Sequence, residues 1–127
     1  EVRVAGRTLS RAEALAAHFG PRLAPVAWAG AKAAAADAAT IVNATPLGMA
    51  GSSELPLDLA AVPPAALVTD LVYGGEPTPF VAAARRRGLL AVDGLGMLLH
   101  QGVPGFERWF GVRPEVDEAL RAAVLAP

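Results

Sequence analysis

Apolar residues along the chain fall mostly into short runs, each closed by a turn and followed by helix formers. Residues 2–5 are a short β-branched strand. Gly6, Arg7 and Thr8 then turn the chain, and residues 11–19 carry good helix formers up to Gly20-Pro21. Ala12, Leu15 and Phe19 recur at helical spacing, which predicts an apolar stripe, and Thr8 or Ser10 is placed to cap the orphan amides. Weaker patterns give a strand over 23–28 and a short helix over 31–39. Residues 40–44 read as a clearer buried strand, ended by Thr45-Pro46-Leu47-Gly48-Met49 in a loop that runs to about 56. A further buried strand covers 67–72, and Tyr73-Gly74-Gly75-Glu76-Pro77 breaks it. Residues 79–87 form a helix stopped by Gly88, residues 89–92 a strand, and residues 97–110 and 115–125 two closing helices.

Strands that alternate with helices and are continuously apolar predict an α/β fold with a mostly parallel sheet and helices on both faces. Ligands of such sheets sit beyond the carboxyl ends of the strands. The segments to read for chemistry are therefore 6–11, 45–49, 71–76 and 93–97.

Composition narrows the functional classes. A chain of 127 residues with 54% hydrophobic residues suits one core, and neither an internal repeat nor a linker interrupts it. The balance of 11 Lys+Arg against 12 Asp+Glu gives no basic face for nucleic acid, and Arg85-Arg86-Arg87 before Gly88 reads as a solvated helix end. Cysteine is absent and the histidines are two, His18 and His100, so no metal site is expected. No window is apolar enough for a membrane span. The chain opens without Met, directly in a strand, which suggests a piece of a longer polypeptide.

At the first strand end, Gly6-Arg7-Thr8-Leu9-Ser10-Arg11 puts two guanidinium groups and two hydroxyls beside a helix start. Such a place favours anions, because exposed amides and the helix dipole add to the arginines. In dinucleotide-binding folds an acidic residue here suits NAD and basic residues suit the extra phosphate of NADP. Surface charge with no ligand is the alternative reading of Arg7 and Arg11. At the second, Thr45 is a polar donor on a turn whose Pro46 and Gly48 are also explained by turning alone. Tyr73 either presents its hydroxyl to a ligand or bonds the backbone. At the last, Gly94 and Gly96 let a ligand ring approach the main chain, and Met97 and Gln101 share a helix face. The alternative there is Met97 in the core and Gln101 in solvent. Asp93 suits a helix cap as well as a catalytic role. No Ser-His-Asp set or paired carboxylates stand out, and Lys32 has no feature of a catalytic group.

Taken together, Gly6-Arg7-Thr8-Leu9-Ser10-Arg11-Ala12-Glu13, Asn43-Ala44-Thr45-Pro46-Leu47-Gly48-Met49, Asp70-Leu71-Val72-Tyr73 with Thr78-Pro79-Phe80, and the run Asp93-Gly94-Leu95-Gly96-Met97-Leu98-Leu99-His100-Gln101-Gly102 resemble the shikimate dehydrogenase family. The resemblance covers residues 1–127 as the family's carboxyl-terminal half: a Rossmann-like NADP-binding domain without its first strand and glycine-rich turn, plus closing helices. It implies NADP as cofactor and shikimate as substrate. Arg7, Thr8 and Arg11 would then hold the adenosine 2′-phosphate, with Gly6 where the family usually has Asn. Thr45, Leu71 and Gly94 would line the cofactor path through main chain, Met97 would pack near the nicotinamide, and Tyr73 and Gln101 would reach the shikimate ring.

The resemblance implies no catalytic residue in this chain, because the proton-transferring Lys and Asp belong to an amino-terminal substrate domain that this sequence lacks. Taken alone, the chain is expected to be inactive. The expected location is the cytoplasm, and a homodimer stays open. Two other readings remain: a quinate/shikimate dehydrogenase using NAD, and a non-catalytic nucleotide-binding module. Pro104, inside the predicted helix 97–110, is expected to kink or break it.

Overall fold

A computed structural model describes residues 1–126. They divide into two compact units, one of residues 1–39 and 56–66, the other of residues 40–55 and 67 onward.

The first unit begins with strand β1 (Val2–Gly6), helix α1 (Leu9–Phe19) and strand β2 (Leu23–Ala27), followed by a 3-10 turn at Trp28–Gly30 and helix α2 (Ala31–Ala35). β1 and β2 pair in parallel, Val2 opposite Leu23 through Gly6 opposite Ala27, and α1 packs on both strands. The core is built of small residues: Ala12, Ala31 and Ala35, joined by Leu59, Val62 and Ala66 from the returning segment. Arg3 on β1 donates to the Ala34 carbonyl at 2.8 Å and forms an ion pair with Asp37, tying the strand to the end of α2. The side-chain hydrogen bonds between Arg3 and Asp37 raise the guanidinium above its usual value and lower the Asp37 carboxyl below the usual carboxylate range.

Three expectations change here. The apolar stripe of α1 is buried only at Ala12, whereas Leu15 and Phe19 are 42% and 65% exposed. Thr8 takes the extended N-cap backbone but makes no side-chain cap bond, and Ser10 lies inside the helix. Helix α2 ends at Ala35 instead of 39, because the chain tightens into three-residue turns at Ala36 and Ala38.

The second unit contains β3 (Thr40–Asn43), β4 (Leu67–Asp70), α3 (Pro79–Arg86), β5 (Leu90–Val92), α4 (Leu95–Phe110) and α5 (Glu118–Leu125). Its strands run parallel in the order β3-β4-β5, with Val68 of β4 opposite Ile41 and Ala91. α3 packs on β4 and β5 and supplies Phe80, Val81 and Ala84 to a core completed by Val68, Leu89, Ala91, Leu95 and Val103. Helix ends follow from side chains: Thr78 accepts from the Val81 amide ahead of Pro79, and Asp117 accepts from the Leu120 amide at 2.8 Å. Gly88 ends the α3 turn with a φ of 79° that its missing Cβ makes easy.

Strand β3 was expected to be buried. Among the described residues it pairs on one side only, with β4, and Val42 is 52% exposed, while the central β4 is the buried one. Pro104 does not break α4, which is helical across it. The residue is exposed and so is His100, whose carbonyl lacks the Pro104 donor.

All strand pairings among the described residues are parallel, and a helix follows β1, β2, β4 and β5, whereas β3 leads to β4 through residues 44–66 with no helix between. Among the described residues they form two sheets instead of one continuous sheet. These are the pairings made by strands 2–3 and 4–5–6 of the doubly wound order.

Candidate functional site

In the first unit, the end of β1 and the start of α1 enclose a shallow pocket of about 190 Å³ lined by Gly6, Arg7, Thr8 and Arg11 with Val4, Ala12 and Leu15. The residues singled out from the sequence thus come together. Among the described residues neither Arg7 nor Arg11 makes an ion pair, so both charges are uncommitted. The first amides of α1 have no side-chain cap, and the helix adds the positive end of its dipole. A Cβ at Gly6 would meet nothing within 4 Å, which leaves the mouth of the pocket open. The arrangement suits a phosphate.

In the second unit, hydrogen bonds link successive strand ends. The Leu71 amide donates to the Asn43 carbonyl at 3.0 Å, joining the end of β4 to the end of β3. The Gly94 amide donates to the Val72 carbonyl at 3.1 Å, joining the end of β5 to the segment after β4. Leu71 and Gly94, both expected to contribute main chain, are therefore neighbours. Asp93 accepts from the Leu95 amide at 3.1 Å, two residues on, in the turn that leads into α4, whose N-cap is Gly94, and Arg121 of α5 lies 3.9 Å from the same carboxylate.

The other residues divide. Thr45 uses its hydroxyl internally, donating to Asn43 Oδ1 at 2.7 Å and accepting from the Leu47 amide. Its side chain is a brace of the turn more than a free donor. Tyr73 and Met97 are each 46% exposed, and Gln101 is exposed on the same helix as Met97. Met97 is not a core residue, and the helix shows Met97 and Gln101 one turn apart to solvent. Lys32 pairs with Asp58. No group of three potential ligands that could hold a metal occurs among the described residues, and no helix of theirs is long and apolar enough to cross a membrane.

Sequence reasoning missed a buried polar cluster of Asn43, Asp70 and Thr78, which are 2%, 0% and 6% exposed. The available signal was an Asp closing an apolar run that the central strand of a sheet buries.

The family described as Shikimate 5'-dehydrogenase C-terminal domain matches residues 94–124. A protein of Azorhizobium caulinodans named Shikimate dehydrogenase (NADP(+)) is 55% identical over 126 residues, covering 99% of this chain and 45% of its own length. One of Paracoccus denitrificans with the same name is 56% identical over the same shares. The chain thus spans under half the length of these curated relatives.

Among solved structures, quinate dehydrogenase from Corynebacterium glutamicum in complex with NAD aligns with a TM-score of 0.84 at 32% identity, over 98% of this chain and 46% of its own. Shikimate 5-dehydrogenase from Thermus thermophilus in complex with NADP(H) and shikimate aligns with a TM-score of 0.72 at 38% identity, over 91% of this chain and 42% of its own. The backbone superposes better on the quinate enzyme, but the sequence stands nearer the shikimate enzymes. By sequence and by fold, the chain is similar to the carboxyl-terminal portion of proteins named NADP-dependent shikimate dehydrogenase.

Proposed function

We propose that the chain is the cofactor-binding portion of an NADP-dependent shikimate dehydrogenase, which interconverts 3-dehydroshikimate and shikimate. The observation that carries this reading is the 55% identity to an NADP-dependent shikimate dehydrogenase over 99% of the chain. NADP supplies the hydride chemistry when bound, and the protein supplies orientation.

The first unit's part is to select the cofactor. Arg7, Thr8 and Arg11 would hold the 2′-phosphate in their pocket, whose uncommitted charges and helix amides suit a dianion. Gly6 leaves room there and no side-chain contact. The second unit's part is to present main chain at Thr45, Leu71 and Gly94 toward the cofactor path, with Met97 packing near the nicotinamide. The exposed Tyr73 and Gln101 would reach the shikimate ring and its carboxylate or hydroxyls. Proton transfer falls to an amino-terminal substrate domain of the same protein, and the strand with the glycine-rich pyrophosphate turn would also precede Glu1. We read the enzyme as cytoplasmic.

The alternative with NAD and quinate is supported by the backbone likeness to a quinate dehydrogenase. It is opposed by Arg7, where an NAD site calls for an acidic residue. Shikimate-dependent reduction of NADP, measured on the native gene product with NAD and quinate as controls, tests the reading. Turnover with NADP and shikimate is expected. Turnover with NAD and quinate alone would replace it by the alternative, and no turnover with either pair would leave a nucleotide-binding module.

A further inference from the structure

Asp70, the last residue of β4, is fully buried, and no Lys, Arg or His pairs with it among the described residues. Its carboxyl group is satisfied by three donors from three different places. Oδ1 accepts from the Val72 amide at 3.0 Å and from Asn43 Nδ2 at 2.9 Å, and Oδ2 accepts from Thr78 Oγ1 at 2.7 Å. Each donor carries the connection further. Asn43 gives a second amide hydrogen to the Leu47 carbonyl at 3.0 Å, and its Oδ1 accepts from both the amide and the hydroxyl of Thr45. Thr78 Oγ1 accepts from the Val81 amide at the start of α3.

We propose that Asp70 is a positioning residue of the reaction assigned above. One carboxyl group fixes the turn after β3, the segment after β4 and the first turn of α3 with respect to one another. The main chain at Thr45 and Leu71 is then set before a ligand arrives. The activity readout rests on the functional reading of the preceding section, whereas the geometry does not. A buried carboxyl costs free energy that an apolar side chain of the same volume would avoid, so packing alone gives no reason for Asp here. Direction does: two oxygens and three donors define one arrangement of three segments, where an apolar contact would allow many.

Two variants of the native gene product separate positioning from filling. Thr78→Val removes the hydroxyl at nearly constant volume, and Thr78→Ser keeps it. Thr78→Val is expected to lower kcat for shikimate-dependent NADP reduction by about 10- to 100-fold, the scale of small misplacements of reacting groups. Thr78→Ser should stay close to the parent value. In Asp70→Asn, amide hydrogen exchange at Leu47, Val72 and Val81 should accelerate together, with the β1–β2 amides unchanged. Parent-like kcat in Thr78→Val, equal losses in Val and Ser variants, or faster exchange confined to Val72 would each overturn the proposal. If the parent protein itself fails to reduce NADP with shikimate, the functional reading fails and exchange alone decides: joint loosening upholds positioning by Asp70, and isolated loosening refutes it.

Discussion

Gly94 lies against the main chain of Leu71 with no room for a side chain: a Cβ on Gly94 would fall under 3.0 Å from the Leu71 carbonyl oxygen and 3.1 Å from its Cα. The backbone of Gly94 is ordinary right-handed helix, with φ −75° and ψ −8°. Glycine is required there by space and not by conformation. Gly94→Ala therefore has to push apart the segments after β4 and β5. The expected loss is about 3 kcal/mol, the upper end of the range for forced shifts in packed sites. Urea denaturation of the native gene product checks it, and an unchanged midpoint would mean that the two segments part freely.

Arg7 and Arg11 line one pocket and neither is committed to an ion pair among the described residues. In the proposed site, replacing Arg7 by Asp would remove a charge-assisted donor and put a like charge near the 2′-phosphate. Arg7→Asp is expected to weaken NADP binding by about 10- to 100-fold, corresponding to hydrogen bonds of about 1.5–3 kcal/mol to charged groups. NAD binding, which lacks that phosphate, should hold steady or improve. Titration calorimetry with both nucleotides decides; the same NADP-to-NAD ratio before and after the change would sink the cofactor assignment.

Leu95 and Leu15 separate what the sequence disclosed from what it did not. Helical spacing marks Leu15 as apolar stripe, yet it is 42% exposed, and Leu95, placed by sequence in a turn ahead of its helix, is 1% exposed. Leu95→Ala is expected to cost about 2–5 kcal/mol and Leu15→Ala less than about 1 kcal/mol. Equal costs would show that Leu15 gains a covering surface in solution.

The reason for that contrast runs through the whole chain. Periodicity states which face of an element is apolar, not whether anything covers it, so the order of strands and helices was legible while the burial of α1 and β3 was not. Glycines and arginines at strand ends were legible because their chemistry is local: Gly94 meets the next segment, and Arg7 and Arg11 flank one helix start. The Asn43–Asp70–Thr78 cluster was hidden for the opposite reason. Asp70 reaches 27 residues back to Asn43 and 8 forward to Thr78, and no spacing rule joins them.

Asp37 and Arg3 give a pH dependence with a definite sign. The Arg3 hydrogen bonds hold the Asp37 carboxyl below its ordinary value of 3.8. The stabilisation from this pair is thus complete above that value and is lost as pH falls through the lower folded-state value. Because both side chains are partly exposed, the effect is small and weakens with salt. Melting temperatures between neutral and acid pH should fall less steeply in Asp37→Asn than in the parent at low ionic strength. Identical slopes would mean that the pair contributes nothing in solution.

Pro104 sits at an exposed position inside α4, whose helix spans Leu95–Phe110. Its nitrogen has no hydrogen to give the His100 carbonyl, and its ring crowds the preceding turn. A proline in a helix interior is about 3 kcal/mol less favourable than alanine, and Gly102 and Gly105 beside it weaken the helix further. Pro104→Ala restores the missing bond at a surface position where no packing is lost. It is expected to raise stability by about 1–3 kcal/mol, read as a higher urea midpoint. Gln101 lies on the amino-terminal side of the proline in the same unbroken helix, so the KM for shikimate should stay within about twofold. A lower midpoint would show that the ring itself packs usefully. A raised midpoint with a much higher KM would show that proline at 104 helps to aim Gln101, and that stability was given up at this residue for substrate contact.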